Sequence, residues 1–265
     1  MGNYINILKS KFNVFLRKKP DFIIIGVQKG GTTSLFNYLS SHPKIKASSK
    51  KEIHYFDYNY GKGLSWYLRY FPYKWDAIGK ITGESSPYYI YHPLAIKKIK
   101  KDFPNVKLII MFREPLSRAY SQYKMELRKG KEKELSFEEA VKNFNEINLE
   151  HEKLKNKSVL YSYSHQNFSY LNRGQYADQL KEVYKHFTED KVLLLKSETF
   201  FSKTKESLEE VYHFLGINPF FDFPIEIHNK GNYDLKPDIL PQKYNSFFTK
   251  SNSDLSKMTN GKISW

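Results

Sequence analysis

The chain has 265 residues, 40% of them hydrophobic and 17% aromatic, which is ample for a packed core and excludes a disordered chain. It contains no cysteine, so disulfides, zinc–thiolate sites and cysteine nucleophiles are excluded. With 43 Lys and Arg against 28 Asp and Glu the formal charge is +15, a field that favours anionic partners: nucleic acid, acidic polysaccharide, a phospholipid surface or a multiply charged cofactor.

Residues 1–19 read as a basic, mildly amphipathic arm or surface helix, with neither a signal-peptide core nor a small-residue cleavage site. No apolar run approaches the roughly 20 residues of a membrane span. A soluble, cytoplasmic protein is therefore expected. The segment DFIIIGV (21–27) is short and continuously apolar, as expected of a strand buried on both faces. SLFNYLSSHP (34–43) continues as a helix that stops near Pro43. VKLIIMF (106–112) is a second buried strand, followed by REPLSRAYSQYKMEL, where Pro115 suits a first helical turn. Leu116, Ala119, Tyr120 and Tyr123 recur there at helical spacing.

Residues 129–157 are highly charged, and Ser136 with Glu139 forms a capping-box pattern before a further helix. YADQLKEVYKHF (176–187) predicts a helix, KVLLLKSETF (191–200) a strand, and KESLEEVYHFLG (205–216) a helix ended by Gly216. No internal repeat or low-complexity linker divides the chain. The alternation predicts one α/β domain over residues 20–265, a three-layer sandwich with a mainly parallel central sheet flanked by helices.

Between the first strand and its helix lies QKGGTTS (28–34). Gly26, Gly30 and Gly31 fit a backbone that curls with its N–H groups facing inward, a nest that binds anions with help from the helix N-terminus. Aligned to G-x-x-x-x-G-K-[ST], Gly26, Gly31 and Thr33 match, but Thr32 takes the lysine position and Lys29 lies three residues earlier. The next strand runs into Arg113, with no acidic residue to hold magnesium, so a magnesium-nucleotide hydrolase is disfavoured. Arg113, together with Ser121 about two helical turns later, is placed to grip a second phosphate in the crevice beyond the strand ends. HNKGNYDLKP (228–237) is a further lysine–glycine turn.

Together these segments resemble the sulfotransferases that use 3′-phosphoadenosine 5′-phosphosulfate (PAPS). PDFIIIGVQKGGTTSLFNYLSSHPKI is similar to their 5′-phosphosulfate loop, and KLIIMFREPLSRAYSQY to their 3′-phosphate segment. KEIHYFD (51–57) resembles the Lys-Glu-x-His-aromatic-Phe-Asp segment of the heparan sulfate sulfotransferases. GESSPYY resembles their Glu-Lys-[Ser/Thr]-Pro-x-Tyr stretch, with Ser85 in place of lysine; RGQYADQL (173–180) and Lys230-Gly231 follow in the family's order. The resemblance spans roughly residues 20–235.

It implies a P-loop-like fold, PAPS as donor, 3′-phosphoadenosine 5′-phosphate (PAP) as product, and no metal. Lys29, Gly30, Gly31, Thr32, Thr33 and Ser34 would hold the 5′-phosphosulfate. Arg113 and Ser121 would hold the 3′-phosphate, with Lys230 and Gly231 closing over it. Lys29 would neutralise charge on the departing 5′-phosphate. A base must take the proton of the attacking hydroxyl. The heparan sulfate branch assigns that to Glu52, while small-molecule sulfotransferases use a histidine, which makes His54 the rival. An extended segment would set Glu52 and His54 on one face, since side chains alternate with period two. Asp57 would orient His54 or bind acceptor, and Lys51, Ser86 and Tyr88 would contact acceptor.

The acceptor implied is a hydroxyl or amine of a saccharide or polysaccharide. A lipid or small-molecule alcohol is the alternative, and a non-catalytic polyanion-binding protein is a third reading. Aromatics and lysines interleave over residues 58–75, as stacking platforms do. No nucleic-acid motif appears, however, and nucleic acid is not an expected partner.

Overall fold

The structure, a computed structural model, describes residues 14–134, 136–222 and 244–265. Its centre is a four-stranded sheet of β1 (Phe22–Gly26), β2 (Gly83–Ser85), β3 (Lys107–Phe112) and β4 (Val192–Lys196) in the order β2-β1-β3-β4. Every pair is parallel. The unbroken apolar runs follow from this arrangement. With period two, Ile23, Ile25, Leu108, Ile110, Val192 and Leu194 pack into one core, and Phe22, Ile24, Ile109, Met111, Leu193 and Leu195 into another. Both faces are covered, so neither parity of the strand can be polar.

One face is closed by α2 (Ala95–Asp102), through Ile96 and Ile99, and by α6 (Tyr176–Tyr184), through Ala177, Leu180 and Val183. The other face carries α1 (Thr32–Ser41), through Leu35 and Leu39, and α7 (Thr204–Leu215), through Leu208, Val211 and Tyr212. A third cluster gathers beside the sheet around α3 (Pro115–Arg128), where Leu116, Ala119 and Tyr123 meet Phe137, Tyr170 and Phe248. It is framed by α4 (Phe144–Lys155), α5 (Tyr163–Asn167) and α8 (Asn245–Met258). The three-layer parallel α/β architecture is the one the sequence predicts.

Pro115 opens α3, and the Glu114 carboxylate caps it by accepting from the Leu116 and Ser117 N–H groups at 2.9 and 2.6 Å. Ser136 caps a four-residue helix by accepting from Glu139 N–H at 3.2 Å, the expected half of its capping box. Gly216 ends α7 in the left-handed region at φ 78°.

One element departs from expectation. KVLLLKSETF is a strand only as far as Lys196, and Ser197–Ser202 is helical. The partner strand supplies the reason. β3 ends at Phe112, which pairs with Lys196, so the ladder has nothing further to bond. Elements such as β2, α2, α5 and α8 carry no sequence expectation. The arm is fastened to the domain from residue 16 onward, where Lys74 N–H donates to Leu16 O and Lys18 N–H to Pro72 O, both at 2.9 Å. Among the described residues no helix is long and apolar enough to cross a membrane.

The sheet order places the site. The chain runs from β1 out to β2 on one side, then returns to β3 on the other. The crevice beyond the ends of β1 and β3 is therefore a topological switch point, where α/β folds bind ligands.

Candidate active site

The loop after β1 is built by close approach. A Cβ at Gly30 would stand 2.4 Å from the Met111 carbonyl oxygen, so only glycine lets the loop lie against β3. Gly31, at φ 99°, is the N-cap of α1 and offers no side chain to the first helical N–H groups, which are left for a ligand. Lys29 takes φ 70° without glycine's freedom, backbone strain of the kind kept at ligand-holding loops. Thr32 and Ser34 are buried beneath the helix start.

Positive charge converges here. Arg113, just past β3, donates from Nη1 to the Lys29 carbonyl at 3.1 Å. The Lys29 ammonium is lowered to about 8, first by burial and then by the charges of Arg113, Arg128 and Lys129, with Glu126 opposing them. A loop that depresses its own lysine in this way is short of negative charge. In α3, Ser121 is buried and its Oγ has no hydrogen-bond partner among the described residues. Lys230 and Gly231 lie outside the described residues.

The segment 51–57 faces this loop. Lys51 donates from Nζ to Thr33 Oγ1 and lies 3.8 Å from Glu52 Oε1, tying the two segments together. His54 sits between two carboxylates, with Nε2 3.5 Å from Glu52 Oε2 and Nδ1 2.5 Å from Asp57 Oδ2. The sequence argument for this meeting needs correction. Glu52 and His54 have φ 54° and 55°, so the segment is not extended; consecutive left-handed turns, not strand alternation, bring the two side chains together.

Burial pushes the His54 imidazole down. Hydrogen bonds to Asp57 and Glu52, and their charges, outweigh that and raise it to about 9. Burial pushes the Glu52 carboxyl up, but the hydrogen bond from His54 and the charges of Lys51, His54 and Lys129 leave it below its usual range. At neutral pH the group is therefore an imidazolium held between two carboxylates.

Beneath it lies a carboxyl that the sequence reading quoted in a motif but assigned no role. Glu84, fully buried in β2, accepts from Ser86 Oγ at 2.7 Å and from the Tyr67 and Tyr89 hydroxyls at 3.1 Å. Its desolvation outweighs those bonds and raises it to about 7. Tyr89 in turn accepts from Tyr55 N–H at 2.8 Å, and Ser86 Oγ from His54 N–H at 3.4 Å. Ser86, expected to contact acceptor, is fully buried, and its hydroxyl donates to Glu84 and accepts from the His54 N–H. Ser85, also buried, has an Oγ with no partner among the described residues.

Glu52 and His54 open into a polar pocket of about 230 Å³ whose far wall carries Lys129, Lys131, Gln166 and Arg173. Tyr88 lines it with its ring, while its hydroxyl is 2.6 Å from His165 Nδ1. Arg173 is buried, stands 4.7 Å from the Tyr88 ring, and donates to Gln28 Oε1 in the donor loop. Its place at the head of RGQYADQL was the available signal. Lys129 and Lys131 looked like part of an anonymous charged run. Among the described residues no group of three or more His, Asp or Glu is placed to hold a metal ion.

A parallel sheet with a glycine-rich loop at its switch point and a carboxylate–histidine pocket facing it forms a candidate transferase site. The sulfotransferase domain matches residues 19–229, and the chain belongs to that family. It is 27% identical to the membrane-associated sulfotransferase kil1 of Dictyostelium discoideum, over 93% of this chain and 66% of that protein. It is 32% identical to the human heparan sulfate glucosamine 3-O-sulfotransferase 3B1, over 76% of this chain and 47% of that enzyme. The chain thus spans about half to two thirds of the length of these curated relatives. A sulfotransferase from Alicyclobacillus acidocaldarius superposes with a TM-score of 0.73 at 27% identity, covering 92% of this chain and 96% of that one.

Proposed function

We propose that the chain transfers the sulfuryl group of PAPS to a hydroxyl of a glucosamine-containing saccharide, without a metal, and that Glu52 is the base. The observation that carries this reading is the 52–57 cluster: an imidazolium between two carboxylates, joined through Lys51 and Thr33 to the anion loop. An imidazole that already holds its proton at neutral pH is no base, so the role falls to Glu52, whose carboxylate is free to accept one. His54, fixed by Asp57, holds Glu52 ionised and aimed.

The donor residues fit a polyanion. Lys29 and Arg113 supply charge, the α1 N-terminus supplies N–H groups, and Ser121 offers a buried hydroxyl with no partner among the described residues. As the acceptor oxygen bonds to sulfur its proton becomes acidic and passes to Glu52, while the bond from sulfur to the phosphate oxygen breaks. Lys29 neutralises the charge that develops on that oxygen. Arg173, Lys129 and Lys131 make the acceptor pocket cationic, which favours a sugar bearing anionic substituents over a neutral lipid.

The test is transfer of labelled sulfate from PAPS, in the presence of EDTA, to N-sulfated glucosaminyl oligosaccharides, a sterol and a phenol. Sulfated oligosaccharide alone is the expected product. Labelling of only the sterol or phenol would overturn the saccharide assignment, and no labelling from PAPS would overturn the donor.

A further inference from the structure

Three of the large exposed apolar side chains gather at the mouth of the acceptor pocket. Tyr58, Tyr161 and Tyr163 are 38%, 45% and 47% exposed, and Leu160 beside them is 84% exposed. Scattered exposed aromatics need no explanation, but a grouped set at a pocket rim marks a binding surface. The Tyr58 ring stacks on the His54 imidazole at 4.9 Å, and Tyr161 meets Tyr58 edge-on at 5.5 Å. Tyr163 lies under the Lys131 ammonium, 5.7 Å from its ring, and Lys131 lines the pocket. The ledge is therefore continuous with the place where the reacting sugar is proposed to sit.

It is also held in place. The Ser162 hydroxyl caps α5 by accepting from His165 N–H at 3.3 Å, which fixes the backbone between Tyr161 and Tyr163. Tyr163 packs edge-on against Phe168 at 5.6 Å, and Lys131 donates to Asn167 Oδ1 at 2.8 Å. Tyr58 is held between the His54 ring it stacks on and the Tyr161 ring that meets it edge-on, so the rings support one another. Rings held by their neighbours yet 38–47% exposed suit a flat partner with C–H edges and polar substituents. They do not suit an acyl chain, which would leave the tyrosine hydroxyls and the adjacent ammonium facing lipid.

We propose that Tyr161 and Tyr163, with Tyr58 as the bridge to the catalytic cluster, form a stacking subsite for a sugar ring next to the one that reacts. The pocket holds one ring; the ledge takes its neighbour. The acceptor is then an oligosaccharide or polysaccharide read over more than one unit. This rests on the saccharide reading given above.

The test uses the full chain with a glucosamine monosaccharide and glucosamine-containing tetra- and octasaccharides, and it leaves Tyr58 intact because that ring covers His54. Y161A/Y163A should raise KM for the octasaccharide about fivefold to tenfold, the scale of losing one aromatic stacking contact. Its kcat, its PAP affinity and its KM for the monosaccharide, which has no second ring to stack, should stay within twofold. Y161F/Y163F should keep most of the octasaccharide preference, because the ring faces remain. Equal KM changes for all three lengths, or none, would overturn the ledge while leaving saccharide transfer standing. Wild-type transfer only to small alcohols would remove the saccharide reading and the ledge with it. A wild-type dimer in sedimentation velocity that Y161A/Y163A breaks would make the surface a subunit contact and also overturn the proposal.

Discussion

Glu52 and His54 stand two residues apart, and their charges rather than their order favour Glu52 as the proposed base. His54 is raised to about 9 by Asp57 and Glu52 acting against burial, so it carries its proton through the neutral range. Glu52→Gln keeps the shape and removes the base; sulfate transfer should fall by about 10²–10⁴, while calorimetry should find PAP binding unchanged. His54→Asn should cost less, since it removes only the group that aims Glu52. An inactive His54→Asn beside a working Glu52→Gln would reverse the roles. Lys29 gives a second, pH-dependent outcome. Its ammonium is lowered to about 8 by burial and by neighbouring cations, so it is charged below that pH and neutral above it. PAP affinity should therefore weaken as pH rises through 8, with proton uptake on binding near that pH, measured by calorimetry in buffers of differing ionisation enthalpy. Lys29→Ala should abolish that step in the pH profile.

At the scale of elements, the loop joining β1 to α1 is tested by the smallest possible side chain. Gly30→Ala would drive a methyl to 2.4 Å from the Met111 carbonyl, which is backbone of β3 and cannot swing aside. The loop must lift, at a cost of about 1–3 kcal/mol for overpacking. The melting temperature should drop by roughly 2–4 °C per kcal/mol, and PAP binding should suffer further because the N–H groups have moved. A variant with unchanged melting and binding would place the loop differently. The same loop shows what the sequence could and could not convey. β1 and β3 were legible because burial on both faces forces an unbroken apolar run, and the glycines because a curled backbone leaves few alternatives. β2 was not, since Gly83–Ser85 is three residues long and polar, held by pairing with β1 and by the hydrogen bonds around Glu84. The meeting of Glu52 and His54 was anticipated for the wrong geometric reason, because left-handed φ at a glutamate and a histidine has no composition signal. The burial of Ser86 was not legible either, because direction into or out of the core depends on β2, which was itself unseen.

Across the whole molecule, the strand order β2-β1-β3-β4 does what no single motif can. It sets the segments that follow β1 and β3 side by side, so that the charge of Lys29 and that of Arg113, 84 residues apart, meet in one crevice. On the proposed reading one segment takes the 5′-phosphate and the other the 3′-phosphate, so the sheet's topology would select a ligand bearing both. Separating the two contributions requires care, because Arg113 also holds the Lys29 carbonyl and its removal would disturb both. Ser121 is the cleaner probe: its Oγ is buried with no partner among the described residues and braces nothing. Ser121→Ala should weaken PAP about tenfold to 150-fold, the range for one hydrogen bond to a charged group. It should leave AMP, which lacks the 3′-phosphate, within twofold of wild type. Ionic strength then separates site from surface. The +15 field acts through solvent and fades over about 10 Å at 0.1 M salt, whereas a buried hydroxyl and a desolvated lysine are screened much less. Added salt should slow PAP association in stopped flow, yet the ratio of PAP to AMP affinity should persist in the wild type. A ratio that collapsed with salt, or one that Ser121→Ala left intact, would assign donor selectivity to the general surface charge and not to the crevice.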